Sequence, residues 1–550
     1  MEVPPGIEYL ARVLPTTLLP SAATFIFLTR LLPLLNFAPL PLWARLLGAV
    51  LALPVTAILG YIYQERQEER EAAAWGAARI PLVPDEKWGG FGFTLIERLK
   101  ENFLAGYPGD FVQDWCEQCQ SNTVMTKILF EREITTVEPE YIKVILATEF
   151  DKFCKDPNSD GILHSLLGSG IFHRGLARPF FSRERISDFA MFDRHTQKAI
   201  GLMKKRLAEG HPLDFQDLVA RFTLDSATEF LCERSVDSMA AGLPYPPNSP
   251  LADSASFVNH PSSTFVTSFM ASQTLSVMRT PYGSRWPLWE FWTDRVKPHR
   301  KVVNDFIEPI LNRTLEAKKQ DKQVIRDAIF NILIAGRDTT AATLTLNEIL
   351  EIVGKSRMPT YDDIRKMRFL RAFINETLRL YPPVPFDIRT SRNATTFPPL
   401  KPGDQPLYIP ARTHCRYSVF RMHRRTDLWG PDAELTLQIA HHFDPDRFLD
   451  ERVRKYLTAN PFIFLPFNAG PRICIGQLFA YNEASFFLIR LLQNFSSFHL
   501  APEAQPDWSK PPPSWKESCE GTKGTDKIMF GLNLTMYVKG GLWVTMDEAP

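Results

Sequence analysis

Ten residues near the end of the chain, Phe467 to Gly476 (FNAGPRICIG), constrain what the rest can fold around. They set one cysteine, Cys474, in an apolar loop bounded by Gly470 and Gly476, with Arg472 two residues before it. The thiolate is the metal-binding form, and an ordinary cysteine has a pKa of about 8.5, so a positive centre must hold the sulfur deprotonated. Backbone N–H groups near the sulfur tune its basicity, and glycine lets a loop wrap closely enough to supply them. Phe467 can shield the sulfur from water. These are the requirements of a cysteine that ligates a haem iron, and Arg472 can reach a haem propionate through a charge-assisted bond. A lone cysteine is more simply a buried structural one. The full F-x-x-G-x-R-x-C-x-G spacing favours the ligand.

The loop resembles the haem-binding loop of the cytochrome P-450 family. The resemblance implies a mainly α fold with small β-sheets (α+β), wrapped around a buried haem and preceded by an N-terminal membrane anchor. It also implies a thiolate at Cys474 that pushes electron density onto iron and favours O–O cleavage. The similarity runs from about Ile80 onward. ETLRLYPPVPF and LPFNAGPRICIGQLFAYNEASFF are similar to membrane-bound fungal members that hydroxylate long-chain alkanes and fatty acids. The implied activity uses haem b and O2 to oxidise a C–H bond of an apolar substrate, a long-chain alkane or fatty acid or an aromatic hydrocarbon. With no flavin- or nicotinamide-binding domain recognised, electrons are expected from NADPH through a separate flavoprotein reductase.

Composition agrees with a large enzyme: 550 residues, 45% hydrophobic, with 40 Phe and 11 Trp. A balance of 63 basic against 62 acidic residues excludes a nucleic-acid partner, which calls for a basic surface. Seven cysteines, an odd number, suggest no disulfide framework, and Cys116-x-x-Cys119 lacks the second pair that a zinc site needs. From Leu46 to Tyr63 run 18 residues without a charge, roughly 27 Å of helix. That is close to the hydrocarbon thickness of a bilayer. Residues 1–63 are therefore read as the anchor and 64–550 as the catalytic domain, with Val13–Leu42 a second candidate span that carries Arg30 and several prolines. The sequon Asn375-Glu-Thr inside a buried helix would be a hazard in a lumenal domain. It points to an endoplasmic reticulum membrane with the catalytic domain facing the cytosol.

Along the chain, Thr123–Ile134 reads as strand, Pro139–Ala147 as a short helix and Arg183–Ala208 as an amphipathic helix. Further helical patterns cover Asp305–Leu315 and Gln323–Leu350, and proline-rich Tyr381–Pro410 reads as irregular. Thr339 stands four residues after Ala335, so its hydroxyl can bond that carbonyl and open the helix at Gly336, with the Asp338 carboxylate alongside. By the resemblance this is the oxygen-binding helix, and Asp338 and Thr339 relay protons. Glu376 and Arg379 lie at i and i+3 on one helix face, about a hundred residues ahead of the cysteine. The resemblance buries them with Arg447 to hold the cysteine loop, brings Arg389 and Arg174 to the haem propionates, and lines the substrate side with Val384, Pro385 and Phe386.

Three departures from the family stand out. Gly170–Gly175 lacks the tryptophan expected four residues before Arg174, the helix after Thr345 is cut short, and Leu435–His442 is extra sequence. Abrupt losses flanked by good matches resemble exon-boundary errors, so an inactive mis-spliced product lacking parts of the haem pocket is one alternative function. A haem-thiolate isomerase or dehydratase acting on peroxides is another, opposed by Asp338 and Thr339 because such enzymes need no proton relay. Sequencing the cDNA is expected to restore the missing helical segments; a transcript matching this frame through every junction contradicts the splicing explanation.

Overall fold

The helix that follows the cysteine loop, Gln477–Asn494, is the centre of the main core. It buries Phe479, Phe486, Phe487, Leu488, Ile489, Leu491 and Leu492 on more than one face, as a helix inside a larger bundle must. The helices Phe189–Ala208, Phe215–Cys232 and Arg368–Leu380 pack around it. Aromatic rings fill the joints, with Phe192 on Phe479 at 5.4 Å and Phe222 on Phe487 at 4.6 Å between centroids. Arg368–Leu380 turns Leu370, Phe373, Ile374 and Leu378 inward at helical spacing, and ends just before Pro382. Coordinates come from a computed structural model that describes residues 3–84, 92–128, 131–155, 162–166, 181–316, 346–430, 443–517, 523–524 and 526–549. Gly170–Gly175 with its Arg174, the stretch up to Thr345 that holds Asp338 and Thr339, and Leu435–His442 lie outside the described residues, while Leu346–Ile352 after the second departure is helical.

Beside this bundle lies a five-stranded sheet, in spatial order Thr123–Ile128, Glu131–Thr136, His414–Ser418, Phe386–Ser391 and Phe153–Cys154. Thr123–Ile134 is therefore a hairpin of two strands, not one. Tyr381–Pro410 also departs from expectation, since it holds the strands Phe386–Ser391, Thr395–Phe397 and Leu407–Ile409. Its prolines bound these strands without interrupting them, where no ladder N–H is lost. The expected Arg183–Ala208 helix breaks at Ser187–Asp188. There the Asp188 carboxylate accepts from the Met191 N–H (3.3 Å) and caps the longer part.

Leu42–Ala74 is one continuous helix, so the expected boundary at residue 63 falls inside it. Its last turns are bolted to that sheet and to a second one of three strands that holds Arg79 and Tyr408. Glu65 takes Lys127 (2.6 Å), Arg79 (2.6 Å) and Arg132 (2.5 Å), while Glu68 pairs with Arg132 and Glu71 accepts from Tyr408. Two stretches, Pro5–Leu34 and Leu42–Ala74, are long and apolar enough to cross a membrane.

One buried carboxyl gives the bundle a pH signature. Glu483 on the central helix meets the Ser226 hydroxyl at 2.6 Å, and burial pushes its pKa up to about 8 from 4.5. Between those values the unfolded chain releases a proton that the folded chain keeps. Stability is full below the lower value and falls as pH rises through the upper one, roughly tenfold in the folding equilibrium per pH unit. Denaturant unfolding of Glu483→Gln at pH 5 and pH 8 is expected to show the variant gaining on the wild type at pH 8; equal differences at both would contradict this burial.

Candidate functional site

The Cys474 loop is closed by its own backbone, the Cys474 N–H donating to the Phe467 carbonyl at 2.8 Å. Between them Gly470–Arg472 makes a single 3-10 turn, entered through left-handed residues Asn468 (φ 60°) and Gly470 (φ 57°). At Gly470 a Cβ would lie 2.8 Å from the Leu146 carbonyl and 2.9 Å from the Ala147 Cβ, so conformation and space both demand glycine. Gly476 has an ordinary φ of −84° and caps the Gln477–Asn494 helix. A Cβ there would sit 3.8 Å from the Cys474 sulfur and 3.5 Å from the Phe181 ring. The Cys474 thiol is exposed and stands two residues ahead of a helix amino end, whose partial positive charge favours a thiolate. Phe467 is partly buried with its ring on Tyr481, 5.2 Å between centroids.

Two networks hold the loop. Below it, Glu376 and Arg379 are fully buried and paired twice, Nε to Oε2 at 2.6 Å and Nη2 to Oε1 at 2.7 Å. Arg447 lies 3.7 Å from the same carboxylate and donates to the Trp429 carbonyl at 3.1 Å. His423 extends the cluster upward. Its Nε2 accepts from the Leu465 N–H at 2.9 Å, so Nδ1 carries the proton and donates to the Arg379 carbonyl at 3.2 Å. Burial and the Arg379 charge push its pKa down to about 3, so the ring is neutral.

The second network joins the loop to the five-stranded sheet. Asp387 faces Tyr417 across the ladder, and Tyr417 shares its hydroxyl proton between Asp387 (3.0 Å) and the Asn468 amide oxygen (2.8 Å). Asn468 donates back to Asp387 at 3.1 Å. Arg389, two residues along the same strand face, donates Nη1 to Asp387 at 2.7 Å. The guanidinium beside Asp387 outweighs the desolvation that would raise its pKa, and the carboxyl stays below the usual range. Arg389 Nε is buried and has no hydrogen-bond partner among the described residues.

Of the residues expected from sequence, Cys474, Phe467, Gly470, Arg472 and Gly476 share one loop, and Glu376, Arg379 and Arg447 one cluster. Arg472 does not point freely outward, because its Nη2 donates to the carbonyls of Phe153 (2.9 Å) and Phe150 (3.3 Å). Phe386 stacks on Phe111 (5.6 Å) in the sheet-side core, Pro385 is buried and Val384 is exposed. A cavity of about 1130 Å³ opens elsewhere, lined by Phe369, Phe373, Pro383, Leu488 and Met536 among others. Cys474, Val384, Pro385 and Phe386 are not among its described lining residues. His423, Asp387, Tyr417 and Asn468 escaped sequence reasoning. Only Asp387 had a signal, its place two residues before Arg389 on one strand face.

An unpartnered buried Arg389 donor, an exposed thiol at a helix amino end and a glycine-tight turn fit a haem with acidic edge groups. Residues 346–516 match a family model described as cytochrome P450. Cytochrome P450 52A3-A from Candida maltosa is 32% identical over 478 residues, 76% of this chain and 86% of that protein. Cytochrome P450 monooxygenase pvhE from Talaromyces variabilis is 31% identical, covering 81% of this chain and 89% of that protein. The crystal structure of the cytochrome P450DA heme domain superposes with a TM-score of 0.61 at 17% identity, over 86% of this chain and 97% of that one, a likeness of fold. Identity above 30% across most of these two relatives settles the assignment: the chain belongs to the cytochrome P450 family of monooxygenases.

Proposed function

We propose that this monooxygenase hydroxylates a long-chain alkane or fatty acid, or an aromatic hydrocarbon, with electrons from NADPH through a separate flavoprotein reductase. Haem, when bound, supplies activation of O2. One oxygen atom enters the substrate C–H bond and the other leaves as water, with two protons and two electrons. The observation that carries the reading is the exposed Cys474 thiol, presented at a helix amino end by a loop tied down on both sides. Similarity to fungal alkane and fatty-acid hydroxylases supports the substrate class. The Leu42–Ala74 helix supports a bilayer partner, the endoplasmic reticulum membrane with the catalytic domain on the cytosolic side.

Each residue then has a task. Cys474 would hold the haem iron through its sulfur, with the helix amino end favouring the thiolate and Phe467 in the same loop to help cover the sulfur once haem is bound. Gly470 and Gly476 allow the loop its close turns. Arg389 would offer Nε to a propionate, and the family resemblance gives Arg472 and Arg174 the same task. Asp338 and Thr339 hold and pass protons at a carboxylate and a hydroxyl. Glu376, Arg379 and Arg447 hold the loop at its required height. Val384, Pro385 and Phe386 border the substrate.

Two outcomes are expected. The reduced, haem-loaded full chain shows a thiolate-type Soret shift under carbon monoxide and, in air without carbon monoxide, oxidises fatty acids, alkanes or aromatic hydrocarbons only with reductase and NADPH. Cys474→Ala loses both, and turnover of hydroperoxides without reductase would contradict the assignment. Glu376→Ala strands two buried guanidiniums and is expected to cost about 3–5 kcal/mol in denaturant unfolding; an unchanged midpoint would show that the cluster does not hold the fold.

A further inference from the structure

Asp387 is the point where the cysteine loop and Arg389 meet. Its Oδ1 accepts from Arg389 Nη1 at 2.7 Å and from the Ile388 N–H at 2.8 Å. Its Oδ2 accepts from the Tyr417 hydroxyl at 3.0 Å and from the Asn468 amide at 3.1 Å. One oxygen therefore grips the sheet arginine, and the other grips the loop that leads to Cys474. Four donors fill the acceptor positions of an ionised carboxylate. Desolvation raises its pKa, but the Arg389 charge and these donors outweigh it, so the group stays an anion.

Arg389 is shared between partners, not saturated by one. Nη1 donates to Asp387 and also to the Ile388 carbonyl at 2.5 Å, while the buried Nε has no partner among the described residues. Only 7% of this side chain is exposed, so water does not supply the missing acceptor. An arginine that gives one edge to a fixed carboxylate presents less than a full positive charge at its other edge. Tyr417 adjusts the balance. Its fully buried hydroxyl divides one proton between Asp387 and the Asn468 amide oxygen at 2.8 Å, and so draws off part of the Asp387 charge.

We propose that Asp387 is a positioning residue that sets the reduction potential of the haem by holding back the charge of Arg389, with Tyr417 as its counterweight. This rests on the reading above that Arg389 meets a propionate. The anion disfavours the added electron of the ferrous state, and it limits how far Arg389 neutralises the propionate. Both effects keep the potential low, which is how a protein group tunes a bound cofactor without touching its reacting atoms. A carboxylate that only braced the loop would leave no such sign. Loosening that brace from either side would move the potential in the same direction.

The test is a redox titration of the haem-loaded full chain, with the Soret band under carbon monoxide reporting thiolate ligation in each protein. Asp387→Asn keeps the side-chain shape and removes the charge. Its potential is expected to rise, by about fivefold in the ferrous-to-ferric ratio at a fixed poise. Tyr417→Phe leaves Asp387 less neutralised, and its potential is expected to fall by a smaller step. Asp387→Glu restores the anion and is expected to return toward the wild type. Potentials that move the same way in Asp387→Asn and Tyr417→Phe overturn the proposal, as does a change below about twofold in Asp387→Asn with its Soret band intact. Where Asp387→Asn holds no haem, Tyr417→Phe decides alone: a fall supports the proposal, and a rise or no change overturns it. A wild-type protein without the thiolate-type Soret shift overturns the function proposed above, and this inference with it.

Discussion

A carboxylate without solvent exposure, Glu376, is the interaction on which the candidate site depends. It receives Arg379 twice, the Asp444 N–H at 2.9 Å, and Arg447 at 3.7 Å. Two guanidiniums facing one carboxylate need further acceptors, and the carbonyls of His423 and Trp429 supply them. The cluster thereby joins the Arg368–Leu380 helix to two later segments, 423–429 and 443–447, that make no regular ladder with it. Buried ion pairs add little net stability over apolar replacements, but removing one partner is severe. Their contribution here is placement.

Placement passes from the cluster to the sulfur in few steps. His423 hands it to Leu465, two residues before Phe467, and the Asp387–Tyr417–Asn468 triangle grips the residue just after Phe467. The Cys474-to-Phe467 backbone bond then closes the loop on a residue gripped from both sides. Two buried titrating groups bound the pH range in which this frame is strongest. His423 must stay neutral, so its contribution is full above about 6.5 and drains away as pH falls toward about 3. Glu483 works in the other direction as pH rises toward about 8.

The motifs were legible where chemistry demands fixed spacing. Cys474, Arg472 and Gly470 belong to one loop because ligand, donor and tight turn must be adjacent in the chain, and Glu376 meets Arg379 because a helix puts i and i+3 on one face. Long-range partners left no such mark. His423 sits in a run of basic residues that reads as surface, yet it is completely buried, because its two ring nitrogens happen to match one carbonyl and one N–H. Asn468 occupies a position the loop motif leaves open. In the fold, helices with a clear apolar stripe were readable, whereas Tyr381–Pro410 was not, since closely spaced prolines mask strands of three to six residues. Arg472 shows the limit of motif reading: the loop places it as expected, but its guanidinium meets two backbone carbonyls.

The account as a whole requires one bond, between the sulfur of Cys474 and a porphyrin iron. Iron X-ray absorption on the purified, haem-loaded protein reads that bond directly. A single sulfur in the iron's first coordination shell, absent from Cys474→Ala, is the result expected. A shell of nitrogen and oxygen alone, the same in both proteins, would contradict the account at its root.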